Sequence, residues 1–96
     1  MKKQSKSDFN AFYKAVLSLE TVNECAKFFD DICTIQELEA LAQRMEVAIR
    51  LKKGESYLDI NKETGASTAT ISRVSKYLNY GAGGYDIAIE RTKEDV

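Results

Sequence analysis

The sequence predicts an all-α chain, and three observations carry that expectation. Proline is absent from all 96 residues, so no ring breaks a helix from within. Apolar residues recur at intervals of three and four, and strict apolar–polar alternation is hard to find. A hydroxyl residue followed three positions later by an acid occurs at Thr21–Glu24, Thr34–Glu37 and Ser56–Asp59, the pattern of helix starts whose side chains cap free backbone N–H groups.

The first predicted helix follows Ser7 and Asp8, either of which can cap it, and carries Phe9, Phe12, Tyr13, Val16 and Leu17 as one stripe. Residues 1–6, polar and basic, are expected to be a disordered tail. Thr21 opens a second helix with Val22, Cys25, Ala26, Phe29 and Ile32 at helical spacing. Thr34 opens the third and longest, from about Ile35 to Lys53, and Gly54 stops it. Leu38, Leu41, Met45, Ala48 and Ile49 form one face of that helix, and Ala40, Val47 and Leu51 widen it. So broad an apolar arc needs cover from more than one neighbour. A small monomer has few helices to supply it, so a homodimer is expected.

Ser56 opens a short helix holding Tyr57, Leu58 and Ile60 that ends at Thr64–Gly65. A further helix starts near Ser67 and runs to Leu78, with Ile71, Val74 and Leu78 inward. Residues 79–84, NYGAGG, read as a loop. A last short helix is expected with Asp86 as its cap and Ile87 and Ala88 inward. No internal repeat or second domain is visible. Residues 1–96 are read as one domain: dimerisation helices over 7–55, a helix-turn-helix over 56–78, and a loop with a short C-terminal helix over 79–96.

Composition excludes several function classes. No apolar run is long enough to cross a bilayer and no signal peptide is recognisable, so the expected location is the cytoplasm, with no membrane partner. Histidine is absent, which removes the commonest general base near neutral pH. Cys25 and Cys33 lack partners at metal-ligand spacing and are expected to be buried free thiols. Neither an enzyme nor a metal site is expected. Net charge is -1, but it is unevenly spread: residues 1–20 carry +2, residues 21–50 carry -3, residues 51–80 carry +2 and residues 81–96 carry -2.

The mildly basic third segment contains TGASTATISR, residues 64–73, slim side chains with no aromatic residue and no acid. A short helix, a glycine turn and a second short helix make a helix-turn-helix. Such a unit needs apolar inward positions, here Ile60, Ala66, Ile71 and Val74. Its turn needs a residue tolerant of positive φ, here Gly65. Its second helix must enter the major groove of double-stranded DNA, where large or acidic side chains obstruct or repel. Ser67, Thr68, Ala69, Thr70 and Ser72 are small, and their hydroxyls and methyls suit base edges. Lys62, Arg73 and Lys76 can reach phosphates. Tyr57 either contacts the sugar-phosphate backbone through its hydroxyl or is an ordinary half-buried tyrosine.

The stretch TIQELEALAQRMEVAIRLKKGESYLDINKETGASTATISRVSKYL, residues 34–78, resembles the Trp repressor family, and within it the YerC/YecD group. The matching features are the Thr–Glu capped central helix ending in KKGE and the TGAS-TATISR turn and helix. The resemblance implies an intertwined helical dimer whose two recognition helices meet a near-palindromic operator. Their separation would be about 34–36 Å, one turn of DNA. The expected function is transcriptional repression. From the KKGE glycine to the turn glycine, this chain is one residue shorter than the Trp repressor pattern, so residues 56–63 do not carry over directly.

The resemblance also implies an effector pocket. In the family two arginines sandwich the ring of tryptophan, and the matching positions are Arg44 and Arg73; the threonine opening the central helix matches as Thr34. Two positions depart: Val74 stands where the pattern has glycine, and Tyr77 where it has a serine that holds the ligand's amino group. Both add volume to a wall of the pocket, so tryptophan is not the expected effector. Arg44 alternatively pairs with Glu37, Glu46 or an acid of the second subunit. No cofactor is expected, and the identity of any small-molecule effector is not readable. The competing function class is a helical dimer that binds protein partners without specific DNA binding.

Overall fold

The computed structural model describes residues 6–93, and every described element is helical. Six helices follow in order: α1 (Lys6–Leu17), α2 (Val22–Ile32), α3 (Ile35–Lys52), α4 (Tyr57–Thr64), α5 (Thr68–Tyr80) and α6 (Gly84–Thr92). The expected disordered tail lies outside the described residues except for Lys6, which begins α1. The chain divides into two compact units, one ending at Leu38 and the other starting at Glu39, so that α3 begins in the first and continues through the second.

The first unit has aromatic contacts but no buried core. Phe12 and Phe28 approach with ring centroids 6.2 Å apart, and Phe28 meets Phe29 edge-on at 5.3 Å. No described residue of this unit is fully buried. Phe9, Tyr13, Leu17, Val22, Ile32 and Ile35 are all exposed. Cys25, expected inside, is exposed and Cys33 is half-buried; both are free thiols. α2 has no core to turn its apolar side into, which is why Cys25 is left outside.

The helix starts in this unit are well satisfied. Thr34 and Glu37 form a reciprocal capping box: Thr34 Oγ1 accepts from Glu37 N–H (3.1 Å), and Glu37 Oε1 accepts from Thr34 N–H (2.9 Å). At Thr21 the box is offset by one residue. Thr21 Oγ1 accepts from Glu24 N–H, but Glu24 reaches back to the N–H of Glu20 rather than of Thr21.

The second unit holds the core. Val47 and Ala48 of α3, Ile60 of α4, Ala66 of the turn and Ile71 and Val74 of α5 are buried together, with Leu51, Tyr85 and Ile89 packed against them. α3 ends in a Schellman turn: Gly54, at φ +85°, donates to Leu51 O, and Glu55 N–H donates to Arg50 O. Arg50 bridges Glu55 (2.9 Å) and Glu46 (3.2 Å), fastening the chain just past the helix end. The hydrogen bond to Glu55 raises the Arg50 guanidinium above its ordinary pKa, against desolvation and with help from Glu46. Lys52 bridges Asp86 of α6 at 2.9 Å.

Four expectations for the C-terminal third are corrected. Asn79 and Tyr80 belong to α5, which Gly81 caps, and Gly84 already opens α6. The N-cap of α6 is Gly83, with Asp86 in the first turn bound to Lys52 instead of capping. Ile89, not Ile87, packs against the core, and Ile87 is exposed. Leu78 is half-buried rather than in the core. α5 runs two residues past Leu78, and α6 starts before Asp86 because Gly83, at φ +90°, turns the chain there while the Asp86 carboxylate is held by Lys52.

Candidate nucleic-acid interface

The turn between α4 and α5 is held by side chains as well as by backbone geometry. Ser56 caps α4 by accepting from Asp59 N–H (3.1 Å). At the other end Gly65 adopts φ +75°, ψ 2°, and donates to Asn61 O. Asn61 Nδ2 donates across the turn to Ala66 O (2.7 Å). Thr64 Oγ1 donates to Ile60 O (2.7 Å) and accepts from Ala66 N–H (3.1 Å). Gln43 of α3 donates to Thr64 O (3.2 Å), tying the turn to the long helix. α5 therefore leaves the turn in a direction fixed by buried Ile60, Ala66 and Ile71 and by this local network.

Ser67 caps α5, accepting from Thr70 N–H (3.1 Å) and lying 3.2 Å from Thr70 Oγ1. Its hydroxyl is occupied by the helix, and Thr70 is half-buried. Thr68, Ala69, Ser72, Arg73 and Lys76 are all exposed. Their spacing of four, one and three residues places them on one face, opposite Ile71 and Val74. Among the described residues the hydroxyls of Thr68 and Ser72 make no hydrogen bond, and neither Arg73 nor Lys76 pairs with a carboxylate. Lys62 and Tyr57, on α4, are exposed. No acid occurs anywhere from Thr64 to Tyr85. The surface is slim, hydroxyl-bearing and cationic, with its charges unspent.

Known proteins match the sequence over nearly the whole chain. A family model described as the Trp repressor protein matches residues 7–93. The chain belongs to the Trp repressor family. It is 52% identical over 87 residues to the uncharacterized protein YerC of Bacillus subtilis, spanning 91% of this chain and 84% of YerC, which sets it in the YerC group. A candidate Trp repressor from Staphylococcus aureus superposes with a TM-score of 0.87 at 42% identity, over 91% of this chain and 87% of that one. A TrpR-like protein from Eubacterium eligens gives 0.85 at 50% identity, over 88% of each chain. Membership of the Trp repressor family makes this protein a DNA-binding regulator, in a family of regulators rather than enzymes.

The positions that match the family's effector pocket are placed as follows. Thr34 lies in the first unit with its hydroxyl committed to the cap of α3. Arg44 is half-buried in the second unit and has no ion pair among the described residues; Glu46, one candidate partner, is taken by Arg50. Val74 is fully buried among Ile60 and Ile71. Tyr77 is half-exposed, its ring beside Arg73 and Lys76. Sequence reasoning missed that last contact; the signal was an aromatic residue four positions after an arginine and one after a lysine. No group of three or more His, Cys, Asp or Glu that could hold a metal occurs among the described residues, and none of their helices is long and apolar enough to cross a membrane.

Proposed function

We propose that the protein is a cytoplasmic, sequence-specific transcriptional repressor that binds a near-palindromic operator as a two-fold homodimer, with α5 of each subunit in the major groove. The observation that carries this reading is the outward face of α5: Thr68, Ala69 and Ser72 exposed and hydrogen-bond-free, flanked by unpaired Arg73 and Lys76. Thr68 and Ser72 read base edges, with Ala69 offering a methyl to thymine. Arg73, Lys76 and Lys62 set the helix on the phosphates, and Tyr57 contacts the backbone from α4. Ser67 and Thr70 shape the first turn of the helix.

Homodimerisation through residues 7–55 is supported by the first unit, whose described residues expose seven large apolar side chains and bury none. Solvent alone does not stabilise such a surface. Tryptophan is not the effector in this reading, because Val74 fills interior volume where the family pattern has glycine. Selection of duplexes from a random pool, followed by band shifts, tests the proposal. A recovered two-fold sequence whose preference changes on Thr68→Val or Ser72→Ala is the expected result. The penalty is about 1–3 kcal/mol per lost base contact. Failure to shift any duplex at low salt would favour a protein-binding dimer instead. Titration calorimetry with L-tryptophan is expected to give no heat of binding, and micromolar affinity would overturn the effector assignment.

A further inference from the structure

We propose that Tyr77 is a positioning residue for DNA binding: its ring braces Arg73 and Lys76 in orientations ready for phosphate while leaving both charges intact. The inference rests on the reading of α5 as the groove-entering helix. The guanidinium carbon of Arg73 lies 5.5 Å from the Tyr77 ring centroid, and Lys76 Nζ lies 5.8 Å from it. Both are inside the range of about 6 Å over which a cation is held by an aromatic face. Tyr77 is 48% exposed, so a large ring is kept at the surface where burial does not explain it.

The way other basic residues are held sharpens the point. Arg50 is clamped by Glu46 and Glu55, Lys52 by Asp86 and Lys93 by Glu90. Those carboxylates orient the cations and also neutralise them. Along α5 the orienting group is neutral, so the two cations are restrained and still attract anions. Long basic side chains lose rotamer freedom when they settle on phosphate. A ring that has already restricted them lowers that loss. The brace belongs to the chain itself, so it operates without any small molecule.

The test is fluorescence anisotropy with a random-sequence duplex at low salt, where phosphate contacts dominate affinity. Tyr77→Phe keeps the ring and is expected to bind within about twofold of the parent. Tyr77→Leu is expected to weaken binding about two- to fivefold for each cation released, with an unchanged salt slope because the number of phosphate contacts stays the same. In an Arg73→Ala/Lys76→Ala background the same Tyr77→Leu step is expected to have no effect. Ring-current shifts give a second measurement: in the free parent the Arg73 side-chain protons should resonate upfield, and this should vanish in Tyr77→Leu. Parental affinity in Tyr77→Leu, an equal loss in the background lacking both cations, an equal loss in Tyr77→Phe, or absence of the upfield shift would each overturn the brace. If removal of both cations leaves binding unchanged, the groove-entry reading itself fails, and the brace with it.

Discussion

Gly65 sets the direction in which α5 leaves the turn, and its replacement separates two physical explanations for a glycine. At φ +75° the backbone lies in the left-handed region, yet a Cβ added there meets nothing within 4 Å. The constraint at Gly65 is therefore conformational rather than steric. A left-handed L-residue costs about 1–2 kcal/mol. Alanine also stiffens the unfolded chain, which offsets about 0.4–1 kcal/mol. The expected net loss for Gly65→Ala is about 1 kcal/mol, or roughly 4–8 °C in Tm for a domain of this size. Asparagine tolerates the left-handed region, so Gly65→Asn should lose less, and β-branched Gly65→Val should lose more. Gly81 is the contrasting case. Its φ is -87°, but an added Cβ would overlap the carbonyl oxygen of Tyr77. Gly81→Ala should therefore disturb the last turn of α5 although its dihedral angle suits alanine. Thermal melts followed by far-UV circular dichroism at one fixed protein concentration measure the series. An alanine variant at 65 as stable as the parent, or asparagine ranking below alanine, would refute the conformational explanation.

Ser67→Ala removes the acceptor for Thr70 N–H at the start of α5 and should cost about 1 kcal/mol in a urea melt. Leu17 is 84% exposed in the single chain, so Leu17→Glu should change the stability of a monomer by less than about 0.5 kcal/mol. If residues 7–55 form the dimer, the same substitution should shift sedimentation equilibrium towards the monomer and weaken operator binding.

The helix-turn-helix was legible because each local signal agreed with its tertiary setting. Ser56 caps where its spacing places it, the second helix starts beside Ser67, Gly65 takes the left-handed turn, and Ile60, Ala66, Ile71 and Val74 are the inward residues the motif demands. The family was legible for the same reason, since its most specific residues lie in that stretch. The C-terminal third was less so. Asn79 and Tyr80 look like loop residues beside three nearby glycines, but Asn79 donates back to Ser75 O (2.9 Å) and stays helical. The expected cap of α6 failed for a separate reason: Gly83 turns the chain at φ +90°, and the Asp86 carboxylate is held by Lys52. Burial in the first unit was illegible for a different reason. The stripe through Phe9, Phe12, Tyr13 and Leu17 correctly marks a helix, but periodicity says only that a face is apolar and not which surface covers it. Tyr77 illustrates a third limit: its contact with Arg73 depends on side-chain direction, which spacing permits but does not select.

A chain with a net charge of -1 is an unusual partner for a polyanion, and the resolution lies in distance. At physiological ionic strength charges are screened over about 8 Å, so phosphates respond to the residues that touch them rather than to the total. α5 carries Arg73 and Lys76 with no acid, while the acidic excess belongs to residues 21–50 and 81–96. With Lys62, each protomer offers three phosphate contacts in the proposed mode, and a two-fold dimer offers twice that number. The logarithm of affinity should then fall against the logarithm of salt with a slope of about -5, against about -3 for one protomer binding alone. Anisotropy across a salt series measures it directly. A slope near -3 for the protein at concentrations where it is dimeric would mean that only one reading head engages, and that two-fold operator binding is wrong. Few phosphate contacts also mean weak attraction to random DNA. The discrimination a repressor requires must then come from Thr68, Ala69 and Ser72 at the base edges, the residues that the fold leaves exposed and uncommitted.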